Sequence, residues 1–226
     1  MIYILPIIFI FLLIYGPQLW VTHVLKKYHK QIEDMPGTGG ELANHLVERF
    51  KLKGVKVEQG KSDQDSYSPD RNVISLSPEV FQGKSLSAIA VAAHEVGHAI
   101  QFNKNEPISQ LRGKYLKKAH IIQNYGVYIL MSIPAVGIIF RTPHLALISV
   151  VIGVITMIAS VLLYVAILPE EYDASFKKAL PILEEGYVPE KYLPAIRQVL
   201  KACALTYVAG ALADILRLWR WLTIIK

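Results

Sequence analysis

The sequence predicts a mainly α-helical integral membrane protein with a small β-sheet. Two long stretches, residues 119–140 and 145–168, contain no Asp, Glu, Lys or Arg, and about 20 helical residues suffice to cross a hydrocarbon core. A third segment, residues 85–104, is rich in alanine and aliphatic side chains and is typical of a buried helix. Apolar and polar side chains alternate in residues 55–58, and apolar side chains cluster in residues 72–77. Both patterns are typical of short strands.

Composition limits the classes of function. The chain has 226 residues, of which 53% are hydrophobic, and its formal net charge is +6. Lys and Arg are spread over loops and helix ends without an aromatic-interleaved basic stripe, so we expect no nucleic-acid partner. Attraction between basic residues beside membrane segments and anionic lipid explains the positive net charge better. The single cysteine, Cys203, can form no intrachain disulfide, which fits a reducing compartment.

Residues 1–25 are predicted to form an N-terminal membrane anchor. They contain no Asp, Glu, Lys or Arg. A cleaved signal peptide would normally show basic residues before the apolar run and a small-residue cleavage site after it, and neither is evident. We therefore expect an uncleaved helix with Trp20 near a membrane interface.

Residues 26–118 form the polar part of the chain and the predicted metallopeptidase domain. Residues 26–34 are predicted to be helical, and residues 60–71 are predicted to be a polar loop. Thr38 is positioned to cap a helix over residues 41–50, and a short helical turn is expected at 79–81. For the helix at 85–104, the N-cap is either Ser85 or Ser87.

Residues 119–168 are predicted to be a transmembrane hairpin. Only residues 141–144 separate its two apolar runs, so the helices must be antiparallel, and the chain returns to the side that it left. The hairpin thereby delivers residues 169–175 beside the helix at 85–104. Residues 169–226 should contain a helix with a further metal ligand, followed by apolar helices. Whether residues 202–221 span the membrane stays open, which gives about three to four membrane helices.

Lysine and arginine predict the orientation. Lys26, Lys27 and Lys30 follow the first apolar stretch, and a basic run at 112–118 precedes the second. The loop on the opposite side contains only Arg141. Because cytoplasmic loops carry an excess of Lys and Arg, we expect residues 26–118 to face the cytoplasm and the N-terminus to lie outside.

The motif that carries chemistry is His94-Glu95-x-x-His98, inside the predicted buried helix. At about 100° per residue, its three polar side chains lie within one sector about 100° wide. Two imidazoles one turn apart can share a metal ion, and Glu95 is then aimed at the open position of that ion, where it can take a proton from water. Gly97 costs helix stability and so indicates close approach by another group.

A catalytic zinc ion takes three protein ligands and leaves one position for water. Later segments offer Glu170, Glu171, Asp173 and His120 as the third ligand. His120 begins a membrane run and has no companion polar residues in register, so it is disfavoured. Two adjacent glutamates directly after a membrane segment are costly there unless they are used.

Residues 92–101 (AAHEVGHAIQ) and 168–175 (LPEEYDAS) together resemble the bacterial YugP-like membrane zinc metallopeptidases, the neutral zinc metallopeptidase 2 family. Residues 65–69 (DSYSP) and 206–211 (TYVAGA) extend the resemblance over nearly the whole chain. The family is similar to the gluzincins, which include the membrane-bound CaaX prenyl proteases. The resemblance implies a zincin-like metallopeptidase core in a multi-pass protein of the bacterial inner membrane.

The resemblance also implies roles for the later carboxylates. In the CaaX-type pattern Glu-aromatic-x-Ala-Asp, the glutamate is the third zinc ligand, and it corresponds to Glu171. Glu170 is then the neighbouring, more solvated carboxylate. Ser175 stands where the pattern has an aspartate that orients a ligand histidine, so the partner of His94 or His98 stays open, and Asp173 is one substitute.

The implied function is a membrane-embedded zinc endopeptidase that hydrolyses peptide or protein substrates with one catalytic Zn²⁺ and with Glu95 as the base. Tyr67, Tyr172 and Tyr207 are candidates for the donor that stabilises the transition state. The strand at 72–77, if it is a sheet edge beside the cleft, is a candidate for binding substrate backbone as an added strand.

Two other classes of protein fit less well. A membrane adaptor or assembly protein with a structural zinc site would normally use four ligands, often cysteines, and Cys203 is alone. A vestigial site would not need the intact Glu95. An ion transporter would place its polar groups inside the apolar runs, usually in internal repeats, and the sequence shows neither feature.

Overall fold

Helices make up most of the chain, and a three-stranded sheet accompanies them, as the sequence predicts. The computed structural model describes residues 4–62 and 64–222, and at 4–8, 10, 143 and 214–222 it describes the backbone alone. The principal elements are α1 (Ile4–Lys27), α2 (Gly39–Arg49), β1 (Lys56–Gln59), β2 (Ser66–Ser68), β3 (Val73–Leu76), α3 (Pro78–Phe81), α4 (Leu86–Asn103), α5 (Leu111–Phe140), α6 (Pro143–Val165), α7 (Leu168–Tyr172), α8 (Leu180–Ile182) and α9 (Leu193–Leu222).

The chain divides into two compact units. The site unit comprises the described residues of Trp20–Gln110 and Pro169–Thr206. The membrane unit comprises the described residues of Met1–Leu19, Leu111–Leu168 and Tyr207–Lys226. The site unit is therefore built from chain segments that precede and follow the α5–α6 hairpin.

Within the described residues, two helices are long and apolar enough to cross a membrane. They lie in Pro107–Phe140 and His144–Tyr187. Glycines let α5 and α6 pack closely: a Cβ on Gly126 would lie 2.6 Å from Thr156 Oγ1, and one on Gly153 would lie 2.5 Å from Leu130. The two helices of the predicted hairpin are thus present, and α5 begins well before the uncharged run because its basic first turns also favour a helix.

The two terminal stretches are also helical where they are described. α1 covers most of the predicted anchor, whose residues 1–3 lie outside the described residues. α9 is a single helix over Leu193–Leu222 rather than several. The side chains of Asp214, Arg217 and Arg220, on which the choice between a spanning and an interfacial helix depends, lie outside the described residues.

His120 has polar companions in the membrane unit, contrary to the sequence prediction. The Tyr164 hydroxyl lies 2.8 Å from His120 Nδ1 and donates to Gln123 Oε1 at 3.0 Å. A hydroxyl in an apolar environment needs such partners, and they come from two antiparallel helices, so one helix alone does not reveal them. Tyr207 packs against the hydrophobic cluster that includes Tyr164 and Ala211.

The sheet has the order β1-β3-β2, with β1 parallel and β2 antiparallel to β3. The strand predicted at 72–77 is therefore not a sheet edge, because β3 is central, and the condition for binding substrate backbone along it is not met. Its Ile74 and Leu76 are fully buried, as suits a strand with neighbours on both sides. β2 lies within the predicted loop at 60–71 and forms an edge instead.

The segment after α1 differs from the sequence prediction. Residues 26–34 are not a continuing helix, since α1 ends at Lys27. Gln31 forms an isolated bridge with Ser85, and the Ile32 amide donates to the Lys84 carbonyl at 3.0 Å. These bonds satisfy the backbone without a helix and tie the segment to the start of α4. The predicted cap of α2 is confirmed, as Thr38 and Glu41 form a capping box.

Candidate metal centre

The site is built on α4, which is buried on all sides. Every residue from Leu86 to Gln101 is buried, in agreement with the predicted buried helix. Ser85 is the N-cap, and its side chain accepts a hydrogen bond from the Ala88 amide at 3.1 Å. Ser87, the alternative cap, instead donates to the Leu25 carbonyl at 2.8 Å. The imidazoles of α4 therefore lie in a buried environment.

Gly97 explains how a second segment reaches α4. A Cβ at Gly97 would lie 2.6 Å from the Ala174 carbonyl oxygen, which is closer than real contacts allow. Ala174 belongs to the π-helical turns Asp173–Ala179 that follow α7, and such turns are frequent at functional sites. The close approach predicted from Gly97 is confirmed, and the group that approaches is main chain.

Gly97→Ala should destabilise the protein by about 1–3 kcal/mol through overpacking. The gain in helix propensity, about 1 kcal/mol, is smaller because backbone must move to admit the methyl group. Thermal unfolding in detergent measures the effect. Gly113→Ala is the matched control, since no atom lies within 4 Å of a Cβ at Gly113. Equal unfolding temperatures for the two variants would contradict the close approach.

Three buried side chains meet where the sequence places the metal. Glu171 Oε2 lies 3.3 Å from His94 Nε2 and 3.1 Å from His98 Nε2. Ligand atoms of the three residues all lie within 4.8 Å of one another, so the group could hold a metal ion. The other carboxylate oxygen, Glu171 Oε1, is buried without a hydrogen-bond partner among the described residues. A buried carboxylate that has one oxygen next to two imidazole nitrogens and the other oxygen without a partner fits a binding site for a divalent cation.

The charge of Glu171 supports the same conclusion. Burial alone would raise the pKa of Glu171, but the adjacent imidazoles of His98 and His94 lower it well below the ordinary value for glutamate. The side chain is therefore an anion, and it is 1% exposed. A buried carboxylate needs positive partners, and a cation bound together with the two imidazoles would supply one.

Ser175 fixes the ring orientation of His94. Its Oγ lies 3.0 Å from His94 Nδ1 and donates to the Leu200 carbonyl at 3.0 Å. Because the serine hydrogen is used there, Oγ accepts from Nδ1–H, and Nε2 of His94 keeps its lone pair for a ligand bond. A serine thus contacts the histidine at the position where the resemblance implied an aspartate.

Gln101 does the same for His98, and sequence reasoning assigned it no role. Its Oε1 lies 3.0 Å from His98 Nδ1, while its Nε2 donates to the Glu170 carbonyl at 3.0 Å and to Asp173 Oδ2 at 2.8 Å. The two acceptors on Nε2 fix the amide orientation, so Oε1 accepts from Nδ1–H of His98. The sequence feature that could have indicated this role is a polar residue one turn after His98 in a helix that is otherwise apolar and buried.

Asp173 is linked to His98 through Gln101. Burial opposes ionisation of Asp173, but the hydrogen bond from Gln101 and the Lys178 ammonium hold the pKa of Asp173 below its usual value. Lys178 Nζ lies 3.3 Å from Asp173 Oδ2 and 3.0 Å from Glu106 Oε2. A charged chain of contacts therefore keeps the Gln101 amide in place.

Gln101→Leu should lower zinc affinity by about 10- to 100-fold, the typical effect of losing a partner of a ligand histidine. The variant leaves His98 Nδ1–H and the Asp173 carboxylate each without one bond. Titration of zinc against a chelator in detergent measures the affinity. Gln110→Leu, an exposed position on the turn before α5, is the control. Unchanged affinity in Gln101→Leu would show that the ring is held by packing alone.

Glu170 is not the more solvated neighbour that the resemblance implied. It is 2% exposed, and its Oε1 lies 3.8 Å from His98 Nδ1. Since α7 and the π-helical turns pack against α4, both adjacent glutamates are enclosed. The two carboxylates still differ in position, because Glu171 faces both Nε2 atoms and Glu170 lies near Nδ1 of one ring.

Glu95 contacts the edge of the sheet. Its Oε2 accepts a hydrogen bond from the Tyr67 amide at 2.7 Å. Tyr67 pairs with Ile74 of β3, so β2 links the sheet to the carboxylate next to the first histidine. The Tyr67 hydroxyl donates to Asn72 Oδ1 at 2.8 Å. The part of Tyr67 that contacts Glu95 is therefore its main chain.

The other two tyrosines singled out in the sequence have different surroundings. Tyr172 is 53% exposed and packs its ring against Phe176 at 4.6 Å. Tyr207 belongs to the membrane unit. Roles for Tyr67, Tyr172 and Tyr207 in stabilising a transition state stay predictions.

A buried pair of histidines with a carboxylate from a later helix, and a second glutamate beside the first histidine, is the arrangement of a metallopeptidase. The profile of the family described as "Putative neutral zinc metallopeptidase" matches residues 3–226. The chain belongs to this zinc metallopeptidase family. It is also 32% identical over 224 residues, 96% of each chain, to a Bacillus subtilis (strain 168) protein named "Putative membrane protease YugP". No solved structure matches the chain.

Membership in the zinc metallopeptidase family agrees with the resemblance seen in the sequence. The family implies zinc, and the group formed by His94, His98 and Glu171 could hold it. It also implies a peptide substrate. The two helices able to cross a membrane and the name of the Bacillus relative agree on membrane association.

Proposed function

We propose that this family member is a membrane-embedded zinc endopeptidase. The observation that carries the proposal is the position of Glu171, whose Oε2 lies within hydrogen-bonding distance of Nε2 of both histidines while Glu95 follows His94 directly in the chain. Three ligands of this kind leave a position for water, as catalytic zinc sites do, whereas structural zinc sites are usually closed by four ligands.

His94, His98 and Glu171 would hold the zinc ion. When bound, zinc supplies Lewis acidity, which lowers the pKa of a water molecule toward about 7 and polarises a peptide carbonyl. Ser175 and Gln101 bond to Nδ1 of the two histidines and so orient each ring with its Nε2 available to a ligand. The low pKa of Glu171 keeps its carboxylate ionised and ready to bind a cation.

Glu95 would act as the general base. It accepts a proton from the attacking water and then gives a proton to the leaving amine. The Tyr67 amide donates to Oε2 of its carboxylate and so orients the group. This bond supports the role, because a general base must be held within reach of water.

β2 is the strand that we propose for binding substrate backbone. β3 is unsuitable because both of its neighbours are present. β2 is an edge, and the Tyr67 amide projects from it to Glu95. An extended substrate added along this edge would run past the catalytic carboxylate.

The proposed setting is a multi-pass protein of the bacterial cell membrane. α1, α5 and α6 would be membrane helices, α9 would be a fourth or an interfacial one, and the zincin-like core would face the cytoplasm. The excess of Lys and Arg flanking the site unit supports this orientation. Labelling of single cysteines introduced at Arg141 and at Lys53 tests it, with external reagent expected to reach Arg141 alone.

Hydrolysis of a quenched fluorescent peptide library by the purified protein in detergent tests the activity. We expect cleavage that 1,10-phenanthroline abolishes and added zinc restores, together with internal cleavage sites identified by mass spectrometry. A protein that binds zinc but cleaves no peptide would fit an adaptor with a non-catalytic site and would contradict the proposal.

A further inference from the structure

The exposed surface of α5 carries polar side chains over its first half in the membrane, alongside the apolar Ile121 and Met131. Within the uncharged run 119–140, the exposed residues before Pro134 include His120, Asn124, Tyr128 and Ser132. These four residues follow one another at intervals of four, so they form a row along one side of the helix. We call this row the polar face.

The polar face reaches deep into the apolar run. Tyr128 lies about 13 Å along the helix axis from residue 119, at 1.5 Å per residue, which is near the middle of a core about 30 Å thick. Tyr128 is 65% exposed, and the adjacent Tyr125 is 62% exposed. Interfacial anchoring explains tyrosines at the rim of a membrane but does not explain tyrosines at this depth.

The partner helix shows what a lipid-facing surface of this chain looks like. From Leu145 to Val165, every exposed side chain of α6 is aliphatic. Among the polar side chains of α6, Ser160 and Tyr164 are buried, and Ser149 and Thr156 are half-buried and donate to carbonyls of their own helix. The exposed surface of α6 is therefore suited to lipid. On α5, His120 and Ser132 have partners within the hairpin, Tyr164 and the Ile129 carbonyl, but Asn124 and Tyr128 present hydrogen-bonding groups for which hydrocarbon is a poor neighbour.

The polar half of α5 is the half joined to the site unit. After Pro134, the exposed residues of α5 are all apolar, as on α6. The polar face instead follows the short turn Pro107–Gln110 that connects α4 to α5. The exposed polar side chains are thus concentrated on the half of α5 that is nearer in the chain to His94 and His98, as expected of a path for substrate.

We propose that the polar face of α5 binds a membrane-spanning helix of the substrate, and that this helix carries hydrogen-bonding side chains such as Ser, Thr, Asn or Gln. The proposal rests on the proposed function and specifies its substrate class as membrane proteins. Hydrogen bonds between helices satisfy polar groups that lipid cannot satisfy. A purely aliphatic helix offers no such bonds and is bound less well.

Photo-cross-linking in liposomes tests the proposal without depending on cleavage. The photoreactive residue p-benzoylphenylalanine replaces Tyr125 beside the polar face or, as the control, Ile155 on α6, which is 59% exposed. Both proteins also carry Glu95→Gln so that the helix stays intact. The probes are two synthetic membrane-spanning helices of leucine and alanine, one of which carries Asn and Ser four residues apart.

We expect the polar helix to cross-link at position 125 about tenfold more than the apolar helix, and the two helices to cross-link equally at position 155. Asn124→Leu with Ser132→Ala should remove the preference at position 125. Equal yields at position 125 would overturn the proposal. So would adducts formed only with phospholipid, with a second copy of the chain, or with residues 214–226 of the same chain.

This outcome is separable from the proposed activity. A wild-type protein that cleaves the soluble peptide library but shows no preference at position 125 is a zinc peptidase whose substrate is not recruited by α5. If the protein binds the polar helix but cleaves no peptide, the proposed docking surface stands and the proposed hydrolase activity fails.

Discussion

Glu95→Gln is expected to lower peptide hydrolysis by roughly 100- to 10,000-fold, the usual range for losing a general acid–base group, with zinc content unchanged. Glutamine has the size of glutamate and keeps an oxygen that can accept the Tyr67 amide hydrogen. It cannot take a proton from water at neutral pH. The variant should therefore lose catalytic turnover but keep its fold and its metal ligands.

Rates on the fluorescent peptides and zinc per chain by mass spectrometry check this expectation. Glu79→Gln, at an exposed position on α3, controls for replacement of a carboxylate outside the site. A Glu95→Gln protein with wild-type turnover would show that another group is the base. A variant that lost both activity and zinc would instead assign Glu95 to the binding of the metal.

Glu171→Gln is expected to lower zinc affinity by more than about 100-fold, beyond the 10- to 100-fold typical of residues that only support a ligand. The substitution preserves volume but removes the negative charge and the oxygen that faces both Nε2 atoms. Activity at limiting zinc should fall in parallel. Chelator competition measures the affinity, and circular dichroism verifies the helical fold.

Glu170→Gln is the matched control for the third ligand. The two glutamates are adjacent and equally enclosed, so a general effect of removing a buried carboxylate would appear in both variants. Only Glu171 contacts Nε2 of both rings. Comparable zinc loss in Glu170→Gln and Glu171→Gln would contradict the assignment of a single carboxylate ligand.

The parts of the structure that the sequence predicts well are those fixed by short-range patterns. The α4 helix follows from its cap and its alanine-rich composition, and the spacing of His94 and His98 follows from helix geometry. The hairpin follows from two uncharged runs separated by a short break. The close approach at Gly97 was also predictable, because glycine inside a buried helix needs a packing reason.

The parts that the sequence misses depend on contacts distant in the chain. β2 has only three residues, two of them serines, and it becomes a strand by pairing with β3. The resemblance implied that Glu170 is the more solvated of the two adjacent glutamates. Packing against α4 encloses both. Gln101 acquires its role from Asp173, more than seventy positions later.

The central claim is that one zinc ion is bound by two imidazoles and one carboxylate, and X-ray absorption at the zinc edge tests it most directly. The purified wild-type protein should contain one zinc per chain, with nitrogen and oxygen neighbours at about 2.0–2.2 Å and the outer-shell scattering of two imidazole rings. Glu171→Gln should lose this signal at the same zinc concentration. A sulfur neighbour at about 2.3 Å, or a wild-type protein that retains no zinc, would contradict the claim.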